Sequence, residues 1–325
     1  MHANPFAIPA PPVQATAPAA ASTLPYAFMG LAVLVSLVGL LVNLVSVWLQ
    51  PDAQMLDSYL EYLPRILTSR LEYTLLAAAA VLLLSRSYLE RHAIAGFTRP
   101  PRQLLVGYFV MALVLSLGVR FIAGPLLSHL LSWAYEWFES AALAQVLVSE
   151  PINLLLFAFD TLLPLWLCLH LLRNSSVPGN ASRVSRQEPA LAFALCFAAL
   201  YLKLLGLAGL LPGYLLSSYG DDWGYRLLEL SGLLYAALVF AAARSGLPTQ
   251  LARHNPGRLF LASLLCLLLW LLALALVAVA LLLYVLSGSE LFHEALLGLL
   301  GLGLLALLWP LTRLSLRWVY KPQAA

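Results

Sequence analysis

The chain has 325 residues, of which 62% are hydrophobic and 10% charged, and its mean hydropathy is +0.88. A water-soluble domain carries about 25% charged residues, so this composition excludes an ordinary soluble enzyme and makes lipid the main solvent. The balance of 18 Lys and Arg against 15 Asp and Glu, a net charge of +3, is too small for a nucleic-acid footprint.

Residues 1–25 contain Pro5, Pro9, Pro11, Pro12, Pro18 and Pro25 and no Lys, Arg, Asp or Glu. With nothing to bury, they are expected to form a disordered cytoplasmic tail. The apolar run from Tyr26 to Leu49 is long enough to span hydrocarbon and lacks the basic start and cleavage site of a signal peptide, so it reads as an uncleaved first membrane helix. Seven further runs have spanning length: Ile66 to Tyr88, Leu104 to Ile122, Ile152 to Leu172, Ala190 to Leu211, Gly224 to Ala243, Leu259 to Leu286 and Ala295 to Leu311. Pro51, Pro64, Pro151, Pro189 and Pro212 fall at the proposed ends, where a missing N–H costs little.

Between the third and fourth runs, Leu126 to Val148 carries His129, Ser132, Glu136 and Glu139 on one stripe, and Leu127, Leu130, Leu131, Ala134, Trp137, Phe138 and Ala141 opposite. This pattern predicts an amphipathic helix lying on the periplasmic-side surface. Charge placement supports that choice. Arg86, Arg91, Arg99 and Arg102 follow the second span; Arg173, Arg183 and Arg186 follow the fourth. Arg244, Arg253 and Arg258 follow the sixth, and Arg313, Arg317 and Lys321 follow the eighth. Only Arg65, Arg70, Arg120 and Arg226 fall on the other side, and Lys203 lies within a span. The positive-inside rule then puts both termini in the cytoplasm, and a spanning Leu126 to Val148 would export three of the four basic clusters. The expected fold is all-α: a polytopic membrane bundle of eight spans over residues 26–311, with an interfacial helix at 126–148 and a basic cytoplasmic segment at 312–325. Short loops around one compact domain suit a bacterial inner membrane.

Ionisable groups inside hydrocarbon cost about 2.5 to 3.5 kcal/mol on insertion scales, so each needs a partner or a function. Four qualify: Glu72, Asp160, Lys203 and Glu229. Asp160 and Lys203 both lie roughly 12 Å from the outer face on consecutive, antiparallel spans, which predicts an Asp–Lys pair with Glu229 reaching the same ammonium. Glu72, at similar depth, joins that cluster or pairs with Arg65. Such a cluster is either a polar point on a path for an ion, solute or headgroup, or an ion pair that fixes packing. Pro164 deprives the Asp160 carbonyl of its backbone partner, which predicts a kink at that acid.

The remaining features read as structural. Cys168, Cys196 and Cys266 form no CxxC pair, and the six His have no metal-ligand spacing, so no metal and no cofactor are expected. Asp57 and Glu61, one helical turn apart with Asp52 nearby, resemble the first-external-loop acids of lipid-linked sugar transferases, where a carboxylate acts as base or holds a metal. The tight acidic pair and large outer domain of those enzymes are absent, and a solvated acidic turn accounts for the residues. Three functions follow, in order: a non-enzymatic membrane protein that guides or binds a small solute, ion or lipid; a scaffold or accessory subunit of an envelope complex; and a lipid-linked transferase-like enzyme. The expected partners are membrane lipids and, for the scaffold, another envelope protein docked on Trp133, Trp137 and Phe138.

Overall fold

The computed structural model describes residues 19–20, 23–49, 53–98, 101–138, 141–178, 184–208, 223–247, 250–251, 255–286 and 294–319. Unbroken Leu-, Ala- and Val-rich runs become helices because lipid offers no partner for a free backbone N–H or C=O. The helices are α1 (Leu24–Trp48), α2 (Ala53–Arg91), α3 (Arg102–Gly118), α4 (Gly124–Trp137), α5 (Ala141–Ala144), α6 (Glu150–Phe157), α7 (Leu163–Leu172), α8 (Gln187–Ala208), α9 (Trp223–Gly246), α10 (Pro256–Leu286) and α11 (Glu294–Val319). Six helical segments are long and apolar enough to cross a membrane, and Arg102–Gly118 and Leu230–Gly246 are shorter apolar helices. The architecture is that of a multi-pass membrane protein.

Short strands gather the connecting segments at one end of the bundle. β1 (Ala19–Ala20) pairs antiparallel with β2 (Ile94–Phe97), which pairs with β3 (Ser176–Pro178); β4 (Val184–Ser185) pairs with β5 (Gln250–Leu251). Ala93, at φ 49°, turns the chain from α2 into β2. The last basic cluster reaches the same end, since the Arg313 guanidinium donates to Ser245 Oγ from Nη2 at 3.0 Å and lies 5.4 Å over the Trp309 ring. The segments bearing the four Arg clusters therefore meet at a single end, called the sheet end below.

Several boundaries differ from the sequence reading. Residues 1–18 lie outside the described residues, and Ala19 and Ala20, placed in the tail, form β1. α2 begins at Ala53, so Asp57 and Glu61 belong to a helix and not a loop; their side chains, that of Arg65 and the whole of Asp52 lie outside the described residues. α11 continues to Val319 with Thr312, Ser315 and Leu316 buried, so the basic segment is the end of the last helix. The amphipathic stretch is not one helix. α4 stops at Trp137, and residues 141–148 belong to the next long helix, which runs on through α6 and α7. Hydrophobic periodicity alone carried the pattern across that break.

That long helix and its predecessor contain three π turns: Val119–Ala123, Gln145–Ser149 and Ala158–Leu162. Each holds the residue four positions before a proline, namely Phe121 before Pro125, Leu147 before Pro151 and Asp160 before Pro164. A helix-interior proline removes one N–H and crowds that carbonyl, and a one-residue widening of the helix relieves both. Pro64 and Pro310 also lie inside helices without a π turn, so proline permits the widening without forcing it.

α2 is the common wall of two cores. On one side Leu82, Leu83 and Ala79 pack with Phe193, Phe197, Leu202, Leu259, Leu267 and Leu316 of α8, α10 and α11. On the other, Val81 and Leu89 pack with Phe28, Tyr108, Leu165 and Leu169 of α1, α3 and α7. The outward face of α10 exposes Leu261, Leu268, Leu272, Leu276 and Leu283 at helical spacing, as lipid contact requires. Near the sheet end α2 is clamped to α8 by a buried ion group: Arg86 Nε lies 3.2 Å from Glu90 Oε1 and 3.4 Å from Glu188 Oε2, with 4% of the Arg86 side chain and 6% of the Glu188 side chain exposed.

Removing one partner of a buried ion pair strands the other charge, at about 3 to 5 kcal/mol. Arg86→Met should therefore lower the unfolding temperature in detergent sharply, and Arg86→Met/Glu188→Leu should recover most of the loss. Equal unfolding temperatures for wild type, single and double variants would show that the group adds nothing to stability.

Candidate functional site

Toward the end opposite the sheets, the two cores separate around a cavity of about 730 Å³. Gly39 and Asn43 of α1, Arg70, Glu72 and Tyr73 of α2, Ser116 of α3, Asn153 of α6, Asp160, and Lys203 of α8 are among the residues that line it. Two of the three π turns border it, since Val119 lines the wall and Asp160 sits in the turn Ala158–Leu162; Glu150, directly after Gln145–Ser149, reaches the lining residue Lys203. Wide turns of this kind are common at functional sites.

Lys203 makes two ion pairs, at 2.6 Å to Glu150 and 3.4 Å to Glu72. Asp160 belongs to a different group. The Tyr73 hydroxyl and the Thr161 hydroxyl both donate to its Oδ1, the latter at 2.9 Å. Arg70 lines the cavity with them.

The expected Asp160–Lys203 pair is therefore corrected: both side chains line one cavity, but each is partnered elsewhere. The reason is topological. The two spans meet at Glu150, which takes Lys203 at 2.6 Å, whereas around Asp160 the same helix packs on α3 and α2. Glu72 pairs with Lys203, the first of its two expected roles. Glu229 lies in α9 with its side chain outside the described residues. Trp133 and Trp137 of α4 are 58% and 71% exposed with ring centroids 5.5 Å apart, and Phe138 follows the helix half-buried.

Sequence reasoning missed Arg70, Tyr73, Asn153 and Glu150. Glu150 precedes the run taken to start at Ile152, and Arg70, four residues inside the run from Ile66, was counted with the outer charges. One signal was present: Glu72 and Arg86 lie fourteen residues apart on α2, and Glu188 and Lys203 fifteen apart on α8. Antiparallel helices so spaced must pair at both levels, about 21 Å apart.

Toward the sheet end the cavity narrows into an extension of about 20 Å³ between Ala32, Val35, Ala77, Tyr108, Ala112 and Thr161, room for about one water. Beneath it Phe28 and Tyr108 pack edge to face at 5.1 Å, with Val81 and Leu165 buried beside them. The polar space thus ends at a packed apolar floor. Among the described residues no three His, Cys, Asp or Glu side chains gather to hold a metal ion. No known protein family, curated protein or solved structure matches the chain.

Double-mutant cycles check the two groups. Lys203 with Glu150 should show a coupling of about 0.5 to 3 kcal/mol in detergent unfolding, and Lys203 with Asp160 a coupling near zero. The reverse ranking would restore the pair expected from sequence.

Proposed function

We propose that the protein is an eight-crossing bacterial inner-membrane protein, with both termini cytoplasmic, that binds a small polar solute, ion or lipid headgroup in this cavity without chemical turnover, in the service of transport. The observation that carries the reading is the cavity itself. A polar space of about 730 Å³, reaching Arg70, Glu72, Asp160 and Lys203 among apolar helices, exceeds what an ion pair kept for packing requires. The gathering of the Arg clusters at the sheet end supports an orientation with that end inside. Parity supports the crossing number, because β2 and β3 can meet only if an even number of crossings separates them. The third and fourth spans then cross, and α4 rests at the outer surface with Trp133 and Trp137 at headgroup level. The apolar floor makes this conformation open toward the outside only, one of the two states an alternating carrier needs. A second reading, an accessory subunit that docks another envelope protein on α4, is favoured by the exposed Trp133–Trp137 pair.

Cysteine labelling tests the cavity. With Cys168, Cys196 and Cys266 replaced by Ala, Asn153→Cys in cells with a permeabilised outer membrane should react with a membrane-impermeant maleimide at a rate within roughly tenfold of the exposed Glu136→Cys, as a water-filled site implies. Labelling of Glu136→Cys without labelling of Asn153→Cys would leave the scaffold as the better reading.

A further inference from the structure

The charges around the cavity are unequally satisfied. Lys203 is already met by two carboxylates, Glu72 and Glu150. Arg70 and Asp160, by contrast, both line the cavity and its narrow extension, yet among the described residues they form no ion pair within 4.0 Å. Opposite charges held apart at membrane depth are costly unless something lies between them and meets both. The guanidinium offers five donors in a planar fork suited to a carboxylate or phosphoryl group. At Asp160 both hydroxyl donors converge on Oδ1, which leaves Oδ2 with capacity for an ammonium.

The charge balance narrows the ligand further. Among the described residues two cations, Arg70 and Lys203, and two acids, Glu72 and Asp160, line the cavity, and a third acid, Glu150, pairs with Lys203. A plain anion would add to an existing excess of negative charge, and a plain cation would leave Arg70 without a counter-ion. A molecule carrying both charges answers each group without changing the sum.

Resting on the reading of the cavity as a binding site, we infer that its ligand is a zwitterion, with an oxyanion held by Arg70 and an ammonium held by Asp160, supplied as a free amino-acid-like solute or as an aminophospholipid headgroup. Asn43, Ser116 and Asn153 line the same space and supply neutral hydrogen bonds to the remainder. The Lys203 group positions α2 and, through Tyr73 on the same helix, the acid that takes the ammonium.

Titration calorimetry on the full chain in a non-ionic maltoside at neutral pH tests this with four probes: glycerophosphoethanolamine and glycine as zwitterions, ethanolamine as the cation alone and glycerol phosphate as the anion alone. At least one zwitterion should bind, and both single-charge probes should bind roughly tenfold or more weakly, since a charged hydrogen bond is lost in each. Arg70→Gln and Asp160→Asn should each weaken zwitterion binding by a similar factor, Arg70→Lys should fall between, and Glu136→Gln should match wild type. Unfolding temperatures close to wild type confirm that the variants are folded. A preference for glycerophosphoethanolamine assigns a headgroup source, and a preference for glycine a free solute. The inference is overturned if ethanolamine or glycerol phosphate binds as tightly as the tighter-binding zwitterion, if Arg70→Gln and Asp160→Asn leave affinity unchanged, or if neither zwitterion binds while Asn153→Cys is labelled. Absence of that labelling removes the binding-site reading as well.

Discussion

A charged side chain in hydrocarbon has to find a partner on another helix, and α2 is where this protein meets that demand. Glu72 and Arg86 reach from α2 to Lys203 and Glu188 of α8, one ion group toward each end, with an alanine-rich contact between them. These two anchors fix the register of α2 against α8 and place Tyr73 and Arg70 on the face that α2 turns to α1, α3 and Asp160. Everything at the cavity follows from that register. A slip of one turn would separate both ion groups by about 5.4 Å and strand Glu72 and Glu188, while Arg86 keeps Glu90 and Lys203 keeps Glu150.

The cavity exists because the N-terminal and C-terminal cores part where the helices are least regular. Three prolines, Pro125, Pro151 and Pro164, each lie beside a π turn, and two of those turns put a residue, Val119 or Asp160, in the wall of the polar space. The widened turns carry Asp160 and, directly after one of them, Glu150 into positions that a regular helix of the same sequence would rotate away. Local backbone irregularity and polar chemistry coincide here, while the half of the bundle nearer the sheets holds the buried Arg86–Glu90–Glu188 group within two packed, mainly apolar cores.

The sequence made the placement of polar groups legible only one dimension at a time. Residue counts put Glu72, Asp160 and Lys203 near one level, and all three line one cavity. Lateral partners could not be counted in that way. Nothing in the order of spans says that Glu150, ten residues before Asp160 on the same helix, is the acid that reaches Lys203, so the pairing of Asp160 with Lys203 failed although both residues were chosen. Glu150 fell outside the run taken to start at Ile152, whereas the helix is continuous through it. The amphipathic stripe at 126–148 suffered the opposite error, since a periodic pattern persists across a break that only the backbone reveals.

What the sequence determined by itself is the solvent of each segment: its apolar runs dictate helices in lipid, and its Arg-bearing loops share an end, because transfer free energy and charge are properties of local composition. What the tertiary structure decided is which charges meet. Partner choice depends on the lateral order of helices and on the rotation that each π turn introduces, and both are set by packing across the bundle, where contacts join residues far apart in the chain.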